Sequence, residues 1–210
     1  MIIYGASFSP FVSKARVFAR EKGLDVRLVS PRDDPEGFRA ASPFGKIPAL
    51  ADGEFRVSDS SAIVTYFEAL RPDPNLIPLD PRARAQVVWF DEFADTILQT
   101  CVAKIFFHRI AAQRFHGKPG DLAVADKAQA RDFPKMADYL ERSVPQSGYL
   151  VEDRYTLADI AVASALATLA QADCRLDPAT YPKAAGYLAQ ILARPSFADL
   201  IDQETAELAA

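Results

Sequence analysis

Ser42-Pro43-Phe44-Gly45-Lys46-Ile47-Pro48-Ala49-Leu50 places a proline at the mouth of a short β-prone run. A few residues on, past Asp52-Gly53, Ser58-Asp59-Ser60-Ser61-Ala62-Ile63 opens a helix that continues through Tyr66. Three hydroxyl or carboxylate side chains crowd that helix start, and only one of them can be the N-cap. The surplus needs another role or faces solvent. Ile47-Pro48 reads in two ways. A trans proline would simply begin an edge strand, whereas a cis bond would turn the Ile47 N–H and C=O outward, where an extended peptide could pair with them. A helix N-terminus with free N–H groups suits a carboxylate, and a nearby aspartate suits an ammonium, so an amino-acid head group would satisfy both.

Upstream, Ile2-Ile3-Tyr4 is a β-prone run that stops at Gly5, and Ser9-Pro10 opens a helix with Phe11, Ala15 and Phe18 on one side. Gly23 ends it, and Val26, Leu28 and Val29 alternate into a second strand. A strand-helix-strand unit of this size implies parallel strands. Asp34 to Ser42 reads as polar, helix-capable and irregular. The runs at Pro48-Ala49-Leu50 and Phe55-Arg56-Val57, separated by Asp52-Gly53, predict a hairpin. From Asp59, the positions Ala62, Ile63, Tyr66, Phe67 and Leu70 recur at helical spacing.

Arg71 to Pro81 holds four prolines and cannot continue a helix, so the domain boundary is placed there, with units at 1–78 and 82–210. The second unit reads as all helical. A long helix starts near Arg82 with the stripe Val87, Phe90, Ala94, Ile97, Cys101 and Ile105. Another runs from Leu122 to Val144 with Ala130, Phe133, Ala137 and Leu140. Thr156 caps a helix with Asp159 at N3, and the small and apolar residues that follow place this helix in the middle of a bundle. Helices at Pro182–Leu192 and 195–204 complete the chain.

The composition is that of an ordinary globular protein. Net charge is −4 over 210 residues, and no basic concentration favours nucleic acid. Cys101 and Cys174 are far apart in apolar surroundings, which suits buried free thiols in a reducing compartment. No basic segment followed by a longer apolar run opens the chain, and no apolar run approaches the roughly 20 residues of a membrane-spanning helix. A cytoplasmic protein is expected, with no membrane partner.

Ser9, directly before the helix with Pro10 at N1, is the ordinary form of a helix entry. It is also a hydroxyl at a helix N-terminus, where a ligand thiol's pKa would be lowered. His108 and His116, eight apart, have no carboxylate or cysteine spacing around them to form a metal site or a nucleophile-base pair. No metal is expected. The absence of a Gly-rich phosphate loop, of Cys-x-x-Cys and of Gly-x-Ser-x-Gly removes nucleotide, dithiol and hydrolase readings.

In this order, Ser9-Pro10-Phe11-Val12, Ser42 to Leu50, Asp59-Ser60-Ser61-Ala62-Ile63 with Tyr66, the Pro-rich linker and Thr156-Leu157-Ala158-Asp159 resemble the cytosolic glutathione transferase superfamily over essentially the whole chain. The resemblance implies an α/β thioredoxin-like N-terminal domain that binds glutathione and an all-α helical-bundle C-terminal domain that helps bind an electrophile. It implies that Pro48 is cis, that the Ile47 backbone pairs with the cysteinyl part of glutathione, and that Asp59 and Ser60 hold the γ-glutamyl head group. Lys46 and Arg39 would face the glycine carboxylate.

Ser9 would hydrogen-bond the glutathione sulfur and favour its thiolate. Serine there, where thiol-transferase-like members carry cysteine, implies a serine-type member and argues against a mixed-disulfide mechanism. Ser7 is the second candidate, and Tyr4, within a strand, a distant third. An aspartate at 59, where the family often has glutamate, is a departure that would weaken the head-group contact. Phe8, Phe11, Phe106, Phe107 and Arg109 are candidates to line an apolar electrophile site, and a homodimer is implied. The competing reading is a non-catalytic member of the fold acting through protein contacts, as stringent-starvation-type regulators and fold-appended translation factors do.

Overall fold

The computed structural model describes residues 1–209. The first 70 residues build a four-stranded sheet of order β2-β1-β3-β4, from β1 (Ile2–Tyr4), β2 (Arg27–Val29), β3 (Ala49–Asp52) and β4 (Phe55–Ser58). β1 runs parallel to β2 and antiparallel to β3, and β3 and β4 form the hairpin. Asp52 pairs with Phe55, so the turn residues are Gly53 and Glu54, one position later than the sequence predicts. Gly53 sits at φ 56°, the conformation a tight hairpin needs at its first turn position.

Alternation along the strands assigns the two faces of the sheet. Ile3 pairs with both Leu28 and Leu50, and Ile3 and Leu50 enter the main core with Val12, Phe18, Ile63 and Phe67 of the helices α1 (Pro10–Glu21) and α3 (Ser60–Leu70). Tyr4, Ala49 and Ala51 point to the opposite face, where they meet Phe38 of α2 (Pro35–Ala41). That segment is a regular helix rather than an irregular piece. Asp34 caps it by accepting the Gly37 N–H at 3.0 Å, and Pro35 occupies its first turn.

The proline-rich segment is pinned from both sides. Lys22, fully buried at the end of α1, pairs with Glu68 at 2.5 Å and donates to the Pro72 and Pro74 carbonyls. Beyond it a single rod spans 81–116: α4 (Pro81–Glu92), a π-helical turn (Phe93–Leu98), α5 (Gln99–Phe106), a second π turn (Phe107–Ala111) and α6 (Ala112–His116). The first π turn moves the apolar stripe by one residue. Leu98 is buried and Ile97 is 36% exposed, which corrects the stripe read with α-helical spacing.

The segment from Leu122 to Val144 is two helices, α7 (Leu122–Arg131) and α8 (Phe133–Ser143), not one. Pro134 in the first turn of α8 cannot donate to a continuing helix, and the break falls at Asp132. The break exposes Ala130, while Ala125 and Ala128 fill the core. α9 (Leu157–Gln171) is buried on every side from Leu157 to Leu169 and packs against α1, α4, α5 and α10 (Pro182–Leu192), as a central helix must. Its capping box is present, with the Asp159 carboxylate accepting the Thr156 and Leu150 N–H groups at 2.9 and 3.0 Å. α11 (Pro195–Ala209) closes the chain and runs past the expected end at 204. No helix among the described residues is long and apolar enough to cross a membrane.

Candidate active site

Ser9 ends the loop that follows β1, directly before α1, with extended backbone (φ −78°, ψ 123°). Its carbonyl accepts the Ser13 N–H at 2.9 Å, but its hydroxyl makes no cap hydrogen bond. An N-cap serine normally spends its oxygen on the N2 or N3 N–H. This one faces an apolar cavity of about 330 Å³ lined by Ala6, Phe8, Ser9, Pro10, Phe106 and Phe107 with residues of the rod. Ser7 is buried and is not free of contacts. Tyr4 is core: its hydroxyl donates to Asp34 at 2.7 Å, and that bond, with burial, raises its pKa.

The cavity wall brings together Phe8, Phe106 and Phe107 of the expected aromatics. Phe8 packs against Phe106 at 6.5 Å and against Phe115 at 5.6 Å. Phe11 does not line it. Neither does Arg109, whose guanidinium donates to Asp126 and to the Ala172 carbonyl, both at 2.8 Å, tying the second π turn to α7 and the end of α9. Sequence reading missed Gln99, Val102, Ala103 and Phe115. The signal for the first three was present: positions 99, 102, 103 and 106 share one helical face that the buried stripe does not use.

The Ile47–Pro48 peptide is cis. Neither backbone group of Ile47 has a hydrogen-bond partner among the described residues, whereas Lys46 O accepts the Ser42 hydroxyl at 2.7 Å and Pro48 O accepts the Asp59 N–H. Asp59, at φ 94°, caps α3 by accepting the Ser61 and Ala62 N–H groups at 2.9 and 3.0 Å. The surplus hydroxyls turn inward. Ser60 Oγ donates to Asp95 at 3.3 Å and Ser61 Oγ to Asp91 at 2.6 Å, and both carboxylates hold Lys14 of α1. Burial raises the Asp95 carboxyl above its ordinary range, against the opposing pull of Lys14. Lys46 on the loop before β3 and Arg39 on α2 are exposed. Among the described residues no group of His, Cys, Asp or Glu is placed to hold a metal.

A β-α-β-α-β-β-α unit with a cis proline before its third strand, joined to a helical bundle that supplies the far wall of a cavity at the first helix, defines a two-domain thioredoxin-like protein. Family models agree on both parts: the glutathione S-transferase N-terminal domain matches residues 3–75 and the C-terminal domain residues 106–204. Glutathione S-transferase 3 of Zea mays is 32% identical over 165 residues, 75% of this chain and 72% of that protein. A glutathione S-transferase from Rhodospirillum rubrum superposes with a TM-score of 0.85 at 26% identity, covering 95% of this chain and 90% of that one. One from Methylobacterium radiotolerans, in complex with glutathione sulfonate, gives 0.76 at 29% identity over 95% and 93%. The chain belongs to the glutathione S-transferase family.

Proposed function

We propose that this glutathione S-transferase holds glutathione across Lys46 to Ser60 and adds its sulfur to an electrophile seated in the cavity at Ser9. The observation that carries the reading is the Ser9 hydroxyl, unspent as a cap and lining that cavity. The cysteine thiol of glutathione has an unperturbed pKa of about 8.5, and a hydroxyl donor together with the positive end of α1 favours its thiolate. The thiol proton goes to solvent, the thiolate forms the S–C bond, and the electrophile's leaving group departs or its double bond takes up a proton. A serine in this role forms no mixed disulfide.

The remaining contacts are assigned along the ligand. Ile47 offers both backbone groups to the cysteinyl residue. Asp59 pairs the γ-glutamyl ammonium. Ser60, with its hydroxyl directed to Asp95, leaves its backbone N–H for the γ-glutamyl carboxylate. Lys46 and Arg39 serve the glycine carboxylate, and Phe8, Phe106 and Phe107 pack the apolar body of the electrophile. The two working units are taken as 1–78 and 82–210.

A homodimer is part of the proposal. Leu79, 82% exposed, and Val88 on α4, 50% exposed, are apolar side chains that line a cavity of about 600 Å³ between α3 and α4. Two buried free thiols support a cytoplasmic setting. The test is retention on immobilised glutathione together with conjugation of a panel of electrophiles, with sedimentation for the dimer. A protein that neither binds glutathione nor conjugates any electrophile is the non-catalytic scaffold instead.

A further inference from the structure

Ser60 has one hydroxyl proton, and it goes to Asp95 Oδ2 at 3.3 Å. Its backbone N–H makes no hydrogen bond among the described residues, because the Asp59 cap takes the next two, those of Ser61 and Ala62. A carboxylate seated on the Ser60 N–H, at the positive end of α3, lies against the same hydroxyl and competes with Asp95 for it. Asp95, in the π turn Phe93–Leu98, is held in place: Oδ2 also binds the Lys14 ammonium at 2.5 Å and lies 3.5 Å from Ser61 Oγ. Its Oδ1 makes no hydrogen bond among the described residues. The charged groups around it are few. Lys14 on α1 and Asp91 on α4 share the cluster, so one cation stands against two carboxylates. Asp59 opens α3, and Glu92 is exposed. α5 and α9 also pack on the turn, but Lys104 is paired with Asp132, and Asp159 is turned to the Leu150 and Thr156 N–H groups. Burial raises the Asp95 carboxyl, Lys14 opposes the rise and Asp91 adds to it. A further carboxylate at Ser60 acts in the same direction as Asp91.

We infer that Asp95 is a positioning residue for glutathione: when the γ-glutamyl carboxylate takes the Ser60 hydroxyl, Asp95 Oδ1 takes up a proton from solvent while Oδ2 keeps Lys14. This rests on the assignment of the head group to Ser60 made above and adds a proton to that binding step. Asp95 acts through Ser60, not by touching the reacting sulfur. With 18% of its side chain exposed, it is within reach of solvent protons. The sign of the effect follows from linkage. A carboxyl that holds its proton more tightly in the complex makes affinity fall as the pH rises through its titration. Asp59, paired with the ligand's ammonium, acts oppositely: it holds its proton less tightly in the complex and releases it on binding. The direction of proton exchange therefore tells the two aspartates apart.

The probe is S-methylglutathione, which has no thiol to titrate. Its binding to the full chain is followed by calorimetry from about pH 5 to about pH 7.5, at each pH in two buffers of different ionisation heat, so that the protons exchanged are counted. The wild type is expected to take up protons on binding, and its affinity to fall by about tenfold toward the alkaline end of the range. Asp95→Asn, which does not titrate, is expected to take up none and to lose that dependence on pH. Proton release by the wild type, or no exchange, overturns the inference without recourse to any variant. Uptake retained in Asp95→Asn overturns it as well. In each of these cases, binding of the probe leaves the head-group assignment standing. No binding at any pH removes that assignment, and the inference with it.

Discussion

The Lys14 ammonium on α1 lies 2.7 Å from Asp91 Oδ1 on α4, with 1% and 6% of the two side chains exposed. Asp95, one turn further along the rod, stands 2.5 Å from the same ammonium. One buried cation thus serves two carboxylates, and the Ser60 and Ser61 hydroxyls donate to them as well. The start of α3 is in this way tied both to α1 and to the helical half of the molecule. Lys14→Met keeps the length of the stem and removes the charge, leaving two buried carboxylates without their cation. The expected loss of stability is about 3–5 kcal/mol, since breaking a buried pair strands the remaining charge. Urea unfolding of the variant measures it, and a loss below about 1 kcal/mol would show that water reaches the cluster.

Ser9→Ala separates two roles that a helix-entry serine can combine. An N-cap serine that spends its oxygen on the helix costs about 1 kcal/mol when truncated. The Ser9 hydroxyl makes no such bond, so the variant is expected to melt close to the wild type. Conjugation is expected to fall by about a hundredfold in kcat, the scale of one transition-state donor, with glutathione affinity nearly unchanged. Near wild-type turnover would transfer the thiol contact to Ser7.

Asp59 combines roles in the opposite sense, because its carboxylate both caps α3 and is assigned to the ligand's ammonium. Asn at 59 keeps an acceptor for the Ser61 and Ala62 N–H groups but loses the charge. Asp59→Asn is therefore expected to raise the KM for glutathione several-fold with stability held near the wild type. Asp59→Ala is expected to do the same to KM and also to cost about 1 kcal/mol of stability. An unchanged KM in both variants would remove Asp59 from the head-group site.

The fold was readable because period and punctuation agreed. The β-prone run at Ile2 to Tyr4, the proline before β3, a glycine at the hairpin and the Thr156–Asp159 cap each act within a few residues, where local chemistry decides conformation. The deviations lie where a long-range partner or a change of helical period decides. Ile97 leaves the core because a π turn intervenes, and no propensity marks a π turn. Asp34 to Ser42 becomes regular because the sheet gives Phe38 and Ala41 an apolar face to cover. The site was legible as far as its backbone motif. The surplus hydroxyls at Ser60 and Ser61 were visible as a surplus, but their partners lie 30 or more residues away on another helix. Arg109 looked available to a ligand only because Asp126 and the end of α9 could not be placed beside it.

Asp159 gives the fold a pH signature of unusual sign. Its carboxylate is fully buried in the first turn of α9 and accepts the Leu150 and Thr156 N–H groups, yet burial dominates and pushes its pKa up to about 6 from an ordinary 3.8. The folded state therefore holds this proton more tightly than the unfolded chain does. The group's contribution is fully present below about pH 4 and is lost as the pH rises through about 6, a change of about 3 kcal/mol at 1.36 kcal/mol per pKa unit. Asp34, Asp132 and Asp177, whose pKa values are lowered by hydrogen bonds from Tyr4, Lys104 and Thr180, act in the reverse direction and mask it in the wild type alone. They cancel in a comparison with Asp159→Asn, which does not titrate. That variant is less stable throughout, because its amide N–H groups oppose the backbone donors that the carboxylate accepts. The wild type's stability advantage over Asp159→Asn is expected to shrink by about 2 kcal/mol from pH 4 to pH 6.5, measured by denaturant unfolding at intervals of half a pH unit. An advantage that grows over the same interval would mean that the backbone hydrogen bonds outweigh burial and hold Asp159 as the carboxylate well below pH 6.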